Sequence, residues 1–446
     1  MADHAKSDSP AVQAQLDRLT ALSPGRDTLG LERITALCER LGNPQDLLPP
    51  VFHVAGTNGK GSTCAFLRGA IEAAGLKCHV YSSPHLVRFN ERIRVAGKLI
   101  EDEVLAALLS EVLDRAEGLQ ASFFEVTTAA AFLAFSRTPA DACVIEVGLG
   151  GRLDATNIIQ KPAVCGIASL GIDHEGFLLA PEEGVPEMPP LERIAFEKSG
   201  IAKADVPLVC QKYAPSMLAA IAKQVMHAGA ALRDRGEGWD ATVYEGRLHY
   251  RDKAGKFSVP LPLMVGPHQA DNAALAIAML RHQHAFGIPE SALTAAMEWT
   301  RWPARMQRLS PGPLVDVLPV GSEVWLDGGH NPDAGDALAK ALEGLAKLDV
   351  VCGLLKNKDA IGFLRPFADK IETFQAVPIP GHEHYDPQEL CSCVVEEFGI
   401  KDAVPSLSVS DSLHQLAQAN KPVSALICGS LYLAGEVLRL NDEVPS

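Results

Sequence analysis

The sequence predicts an α/β protein in two parts: a larger domain built on a parallel sheet over residues 1–302, and a smaller Rossmann-like α/β domain over residues 303–446. Three observations lead there. The apolar run Val51-Phe52-His53-Val54-Ala55 opens into Gly56-Thr57-Asn58-Gly59-Lys60-Gly61-Ser62, after which Ala65, Phe66, Ala70, Ile71 and Ala74 recur at helical spacing and Gly75 stops the pattern. Residues 142–147 and 163–169 are nearly continuous apolar runs with helical patterns before and after them, as expected of parallel strands covered on both faces. Beyond Arg301-Trp302-Pro303, which marks a boundary, short apolar runs at 324–327, 350–354, 373–377, 407–409 and 423–428 alternate with helical stretches. This second series lacks GxGxxG and is not read as a dinucleotide binder.

The strand-loop-helix stretch carries the first functional signal. Glycines let the chain turn so that successive N–H groups face one anion, the helix N-terminus adds its dipole, and Lys60 adds a mobile positive charge. The strict P-loop has four residues between its first glycine and Gly-Lys, whereas only Thr57 and Asn58 separate Gly56 from Gly59-Lys60 here. A glycine-rich turn with an exposed lysine fits the same residues. The strand before the loop and the helix after it favour nucleotide binding, so the larger domain is read as a P-loop, nucleotide-binding domain.

The other elements follow in order. Leu16, Leu19 and Leu22, then Leu31, Ile34, Leu37 and Leu41, stripe a helical region at 11–48. A strand at 77–81 leads into a polar and basic loop at 82–93, and helices are expected at about 101–117 and 123–136. Residues 206–211 read as a strand and 215–227 as a helix. Alternating Val243, Tyr244, Leu248 and Tyr250 mark a small antiparallel excursion over 242–263, and a helix is expected at 267–286.

Composition bounds the function. A chain of 446 residues can bury two or three cores, and 47% hydrophobic with 21% charged residues is ordinary for a soluble globular protein. A net charge of −15 argues against a general binder of nucleic acid or anionic membrane, though Arg88, Arg92 and Arg94 offer a local site for an anionic substrate. Ten cysteines without CxxC or zinc spacing point to buried thiols in a reducing, cytoplasmic setting. The opening MADHAKSDSP lacks the apolar core of a signal peptide, and no apolar run is long enough to span a bilayer.

In parallel α/β sheets ligands bind beyond the carboxyl ends of the strands. Lys60, Glu146 and His174 each lie at such an end and should converge. A carboxylate closing a buried strand beside a phosphate loop is placed to hold Mg²⁺, directly or through water. Plainer roles fit too: Glu146 as a partner of Arg152, His174 as a loop residue.

The motifs together carry a resemblance. AGTNGKGS (55–62), YSSPHLVRFNERI (81–93), EVGLGGRLDATN (146–157), DH (173–174), EKSGI (197–201), GPHQADNAALAIA (266–278), ARMQ (304–307), DGGHNP (327–332) and CGSLYLAG (428–435) span most of the chain. In that order they resemble the bifunctional dihydrofolate synthase/folylpolyglutamate synthase family, relatives of the Mur ligases, which uses the shortened loop. The resemblance implies that Gly56, Thr57, Asn58, Gly59, Lys60, Gly61 and Ser62 wrap the ATP phosphates. It implies Ser83, Glu146 and His174 as Mg²⁺ ligands, and Lys198 as a carbamylated lysine supporting a second Mg²⁺, with a monovalent cation besides. His268, Gln269 and Asn272 match a nucleotide-side motif, and Arg305, Asp327 and His330 match contacts to ATP and the incoming glutamate. Lys60, Lys198 and His330 take the catalytic roles, and Phe124 and Asp154 would contact the pterin. Two departures are visible: EKAGI is EKSGI, and the segment between His174 and Lys198, including 181–190, is longer than usual.

The implied activity is an ATP-dependent carboxylate–amine ligation. L-Glutamate is added to dihydropteroate, forming dihydrofolate, and to tetrahydrofolate, forming folylpolyglutamates, through an acyl phosphate. The expected partners are these small molecules, with neither nucleic acid nor membrane, and the expected state is a cytoplasmic monomer. A folylpolyglutamate synthase alone and a Mur-type peptide ligase are the alternatives within this chemistry. A non-catalytic ATP-binding regulator is the alternative outside it; such a protein would be expected to lack Lys60, Glu146 or Lys198, and all three are present. The pair His382 and His384, without further ligands, reads as loop residues.

Overall fold

β1 (Val51–Ala55) is buried at all five positions because parallel strands flank it on both sides. It belongs to an eight-stranded sheet with β2 (Cys78–Tyr81), β3 (Ile93–Val95), β4 (Lys98–Leu99), β5 (Ala142–Glu146), β6 (Val164–Ile167), β7 (Pro207–Cys210) and β8 (Ala231–Asp234), in the order β4-β3-β2-β5-β1-β6-β7-β8. Only β3 and β4, at one edge, run antiparallel to their neighbours. The computed structural model that shows this describes residues 5–22 and 29–445. The helical stripe expected at 11–48 resolves into helices Pro10–Leu22 and Glu32–Arg40, with residues 23–28 outside the described part. Leu16, Leu19, Ile34 and Leu37 join Cys143 and Ile145 of β5 and Phe132 of helix Phe123–Ser136 in one core. Ser122 and Glu125 close a capping box at the start of that helix.

The antiparallel excursion is a separate three-stranded sheet of β9 (Trp239–Tyr244), β10 (Arg247–Asp252) and β11 (Gly255–Pro260). Helix Pro267–His282 ends four residues before the expected 286, because the Gln283 side chain accepts hydrogen bonds from the N–H groups of Ala285 and Phe286 and turns the chain.

The chain divides into two units, and the division is not one cut at residue 302. The second unit gathers Trp302–Ser446 together with His85–Arg88 and Met264–His268. Close packing explains the first segment: a Cβ on Gly435 would collide with the Leu86 carbonyl. The second unit holds a six-stranded sheet of β12 (Gln307–Arg308), β13 (Glu323–Leu326), β14 (Leu348–Cys352), β15 (Ile371–Ala376), β16 (Ala403–Pro405) and β17 (Ser424–Cys428), in the order β12-β13-β17-β14-β15-β16. All neighbours but β12–β13 are parallel. The strand expected at 407–409 is a correction. Ser408 Oγ accepts from Asp411 N at 3.1 Å and caps helix Val409–Ala417, so the strand forms earlier, at β16. Among the described residues no helix is long and apolar enough to cross a membrane. All ten cysteines are free thiols.

His53, in the middle of β1, has its Nε2 2.8 Å from Thr156 Oγ1. Complete burial, with the nearby Lys203 charge, pushes the imidazole down from 6.5 to about 3. An unfolded imidazole takes up a proton near pH 6.5 that the folded one refuses. The stability this group contributes is therefore present above pH 6.5 and lost as pH falls toward 3. The expected slope is about 1.4 kcal/mol per pH unit for this residue. Urea midpoints between pH 7 and 4.5 should fall in the wild type and fall less steeply in His53→Gln; equal slopes would exclude His53 as the acid-sensitive group.

Candidate active site

The glycine loop is shaped by contacts on both sides. Gly59 adopts φ +82°, and a Cβ there would also collide with the Asn272 side-chain oxygen. A Cβ on Gly56 would come within 2.9 Å of Ala168 Cβ, just beyond β6. The loop can therefore pass between Asn272 and Ala168 only as glycine at these positions. Thr57 braces it: its N–H donates to Ser169 O at 2.7 Å and its hydroxyl to Gly171 O at 2.8 Å. Helix Lys60–Ala73 starts directly after Gly59 with no side-chain cap, and the buried Ser62 Oγ has no hydrogen-bond partner among the described residues. An uncapped helix N-terminus with an orphaned hydroxyl in its first turn fits a phosphate group and its counter-cation.

Two lysines meet at this loop. Lys60 Nζ donates to Gly56 O at 3.0 Å and to Thr57 O at 3.2 Å. Lys198 Nζ donates to the same Gly56 O at 3.0 Å, from a residue only 4% exposed. Lys198 therefore points inward to the loop, and among the described residues it forms no ion pair with Glu192 or Glu197. Burial first, and the Lys60 charge second, bring the Lys198 ammonium down from 10.5 to about 7, against the pull of Asp173, Asp154 and Glu197.

Of the expected metal ligands, the structure brings Ser83 and Glu146 together: Ser83 N, just past β2, donates at 3.4 Å to Oε2 of Glu146, the last residue of β5. Glu146 is 5% exposed. His174 takes a left-handed conformation, φ +53°, at the start of helix Glu175–Leu178, and its N–H donates to Asp173 Oδ1 at 2.8 Å. Among the described residues no three His, Cys, Asp or Glu side chains form a metal cluster. The set Ser83, Glu146 and His174 contains only two such side chains, which suits an ion that keeps several of its waters, as Mg²⁺ does.

Arg152 does not pair with Glu146. Its guanidinium bonds Glu197 through Nε at 3.2 Å and Nη2 at 3.0 Å, and bonds Glu182 as well. Sequence reasoning missed this network; acidic residues 30 and 45 positions away in the chain give no local signal. Asp154 is turned into its own loop, where Oδ2 accepts from Leu149 N at 2.8 Å and Oδ1 from Thr156 N at 3.0 Å. Burial raises its carboxyl above the usual carboxylate range despite those bonds. Phe124 packs its ring where a Cβ on Gly148 would stand and lies 5.9 Å from the Tyr81 ring. Gln269 and Asn272 share one helical face, Asn272 Nδ2 donating to Gln269 Oε1 at 3.2 Å.

In the second unit, Arg305, Asp327 and His330 gather at the carboxyl end of β13. Asp327 accepts from Met306 N at 2.8 Å and Gly329 N at 2.7 Å, and Arg305 Nη1 donates to Ala304 O at 2.9 Å. His330 Nδ1 donates to Gly328 O at 2.9 Å, since a carbonyl oxygen can only accept. His268 belongs to this unit also, beside Gly266. Of the loop histidines, His382 stacks on Tyr432 with ring centroids 3.8 Å apart, and His384 Nδ1 donates to His382 O at 2.7 Å.

Comparison with known proteins finds relatives along nearly the whole chain. A family model described as dihydrofolate synthetase, C-terminal domain, matches residues 317–440. The dihydrofolate synthase/folylpolyglutamate synthase of Escherichia coli (strain K12) is 33% identical over 418 residues, covering 93% of this chain and 92% of that one. The solved structure of E. coli FolC in complex with DHPP and ADP matches with a TM-score of 0.84 at 32% identity, covering 98% of each chain. The bifunctional folylpolyglutamate synthase/dihydrofolate synthase from Yersinia pestis CO92, complexed with AMPPNP and Mn ion, matches with a TM-score of 0.82 at 29% identity, over 97% of this chain and 98% of that one. With a relative this similar along nearly its full length, the chain belongs to the dihydrofolate synthase/folylpolyglutamate synthase family.

Proposed function

We propose that this protein is an ATP-dependent ligase that joins L-glutamate to dihydropteroate and to tetrahydrofolate. The observation that carries the reading is the loop Gly56–Ser62, where two lysines from distant parts of the chain meet on one carbonyl beside an open helix N-terminus. The names and ligands of the relatives supply the substrate class.

In this reading the substrate carboxylate attacks the γ-phosphorus of ATP and ADP leaves; the glutamate amine then attacks the acyl carbon, phosphate leaves, and the amine gives up a proton. Lys60 holds and neutralises the transferring phosphoryl group, which is electrostatic stabilisation and positioning. Ser83, Glu146 and His174 would hold Mg²⁺, and Lys198, as a carbamate, would support a second Mg²⁺; the charge of these ions would offset that of the phosphate oxygens. Gly56, Asn58, Gly59, Gly61 and Ser62 surround the phosphates, with Thr57 as a brace, and His268, Gln269 and Asn272 serve the nucleotide. Arg305 and Asp327 serve ATP, and His330 serves the incoming glutamate. Phe124 offers a face to the pterin, and Asp154 shapes the loop beside it. A monomeric state and a cytoplasmic location are part of the same proposal.

Release of ADP should depend on glutamate and be supported by both dihydropteroate and tetrahydrofolate, and by no Mur-type nucleotide-peptide precursor. Activity with tetrahydrofolate but none with dihydropteroate would reduce the assignment to a folylpolyglutamate synthase. Activity with the Mur precursor alone would replace it.

A further inference from the structure

The segment 175–189 runs from His174 to helix Pro190–Ser199, which carries Lys198, and it is fastened at two points. Leu178, 2% exposed, packs so that a Cβ on Gly150 would come to 2.9 Å of its Cδ2. Glu182 accepts hydrogen bonds from Arg152 Nη2 and, at 3.2 Å, from Arg193 Nη2. Both guanidiniums also reach Glu197: Arg152 as described above, and Arg193 Nη2 at 2.9 Å. Both also lie over the Phe196 ring, at 5.4 and 5.5 Å. Two cations and two carboxylates thus alternate in a closed ring of ion pairs, with both cations over one aromatic ring. The loop that carries Arg152 is seated on the end of the lysine-bearing helix. Arg152 N donates to Glu197 O at 2.8 Å, and a Cβ on Gly151 would come to 2.8 Å of Lys198 O.

We propose that Glu182 is a positioning residue that ties the His174-bearing segment to Arg152 and so sets the spacing of His174 and Lys198 for a divalent cation. The proposal rests on the reading of His174 and Lys198 as metal-holding residues. With Glu182 present the ring is electrically balanced. Without it, two guanidiniums share Glu197, and an uncompensated positive charge stands next to the residue that must help hold a cation. The Glu182 side chain is 37% exposed, so an isolated pair there would contribute little. Its weight comes from the partners it shares with Glu197, whose side chain is 4% exposed. A supporting residue behind a metal ligand changes metal affinity by about 10–100-fold; discounted for that exposure, about five- to tenfold is expected here.

The test titrates Mn²⁺ into the full chain in the presence of ADP, reading free Mn²⁺ by electron paramagnetic resonance. Glu182→Gln should bind Mn²⁺ about five- to tenfold more weakly, while metal-free ADP affinity stays within about twofold of wild type. Hydrogen exchange over 175–189 should quicken. Glu182→Asp, which keeps the charge, should recover most of the affinity. Unchanged Mn²⁺ affinity in Glu182→Gln overturns the proposal, as does an equal loss of metal-free ADP binding or an Asp variant as weak as Gln. If the wild type itself binds no Mn²⁺ with ADP, the metal-site reading fails first and takes the proposal with it.

Discussion

Lys60→Ala is expected to lower ADP release by at least about 10²–10³-fold, the usual effect of removing one group that stabilises developing charge in a closed site. The fold should survive. Among the described residues Lys60 Nζ bonds only loop carbonyls, Gly56 O and Thr57 O, and Gly56 O keeps its second donor, Lys198. The loop's course is set instead by Gly59 against Asn272 and by Thr57 against Ser169 and Gly171. Circular dichroism and the urea midpoint should therefore match wild type while turnover is lost. Lys60→Arg should fail as well, since a planar fork cannot replace a compact ammonium between Gly56 and Thr57. A variant with intact fold and near wild-type ADP release would remove the phosphate-cradle assignment.

Much of this arrangement is written locally in the chain. β1, β5 and β6 are legible because strands buried on both faces admit few polar residues, and because the turn after β1 needs glycine where Asn272 and Ala168 crowd it. The short edge strands β3, β4 and β12 are not legible: two or three residues carry no periodicity. Segment 85–88 belongs to the second unit through contacts such as Leu86 with Gly435, which pair residues hundreds of positions apart. Arg152 illustrates the same limit. Glu146 is its nearer acidic candidate in sequence, yet Glu182 and Glu197 take it because the seat of Gly151 on Lys198 O brings that helix end to it. A lysine that follows Glu192 and Glu197 reads as a surface residue paired with one of them; only the fold turns Lys198 inward to Gly56.

That inward turn sets up the second large effect. A protonated Lys198 has no lone pair with which to hold a metal and would repel one, whereas a carbamate carries a negative charge and two oxygens of the kind Mg²⁺ prefers. The conversion is balanced without another reactant: the neutral amine nitrogen attacks the carbon of CO₂, a C=O electron pair moves to oxygen, and the nitrogen releases a proton to water. It requires the unprotonated amine. Burial and the neighbouring Lys60 charge provide that by bringing Lys198 from 10.5 to about 7, so the carbamate should form readily above pH 7 and be lost as pH falls below it. Lys198→Ala is expected to be nearly inactive and partly rescued by acetate or formate, which refill the missing carboxylate in the space left. Lys198→Arg is expected to be as inactive and not rescued, because its side chain fills the same buried space with a fixed positive charge. Labelled bicarbonate should give a carbamate carbon signal in wild type that is absent from both variants. An active preparation whose intact mass and labelled spectrum show only the unmodified lysine would exclude the carbamate and leave Lys198 as a cation beside Lys60.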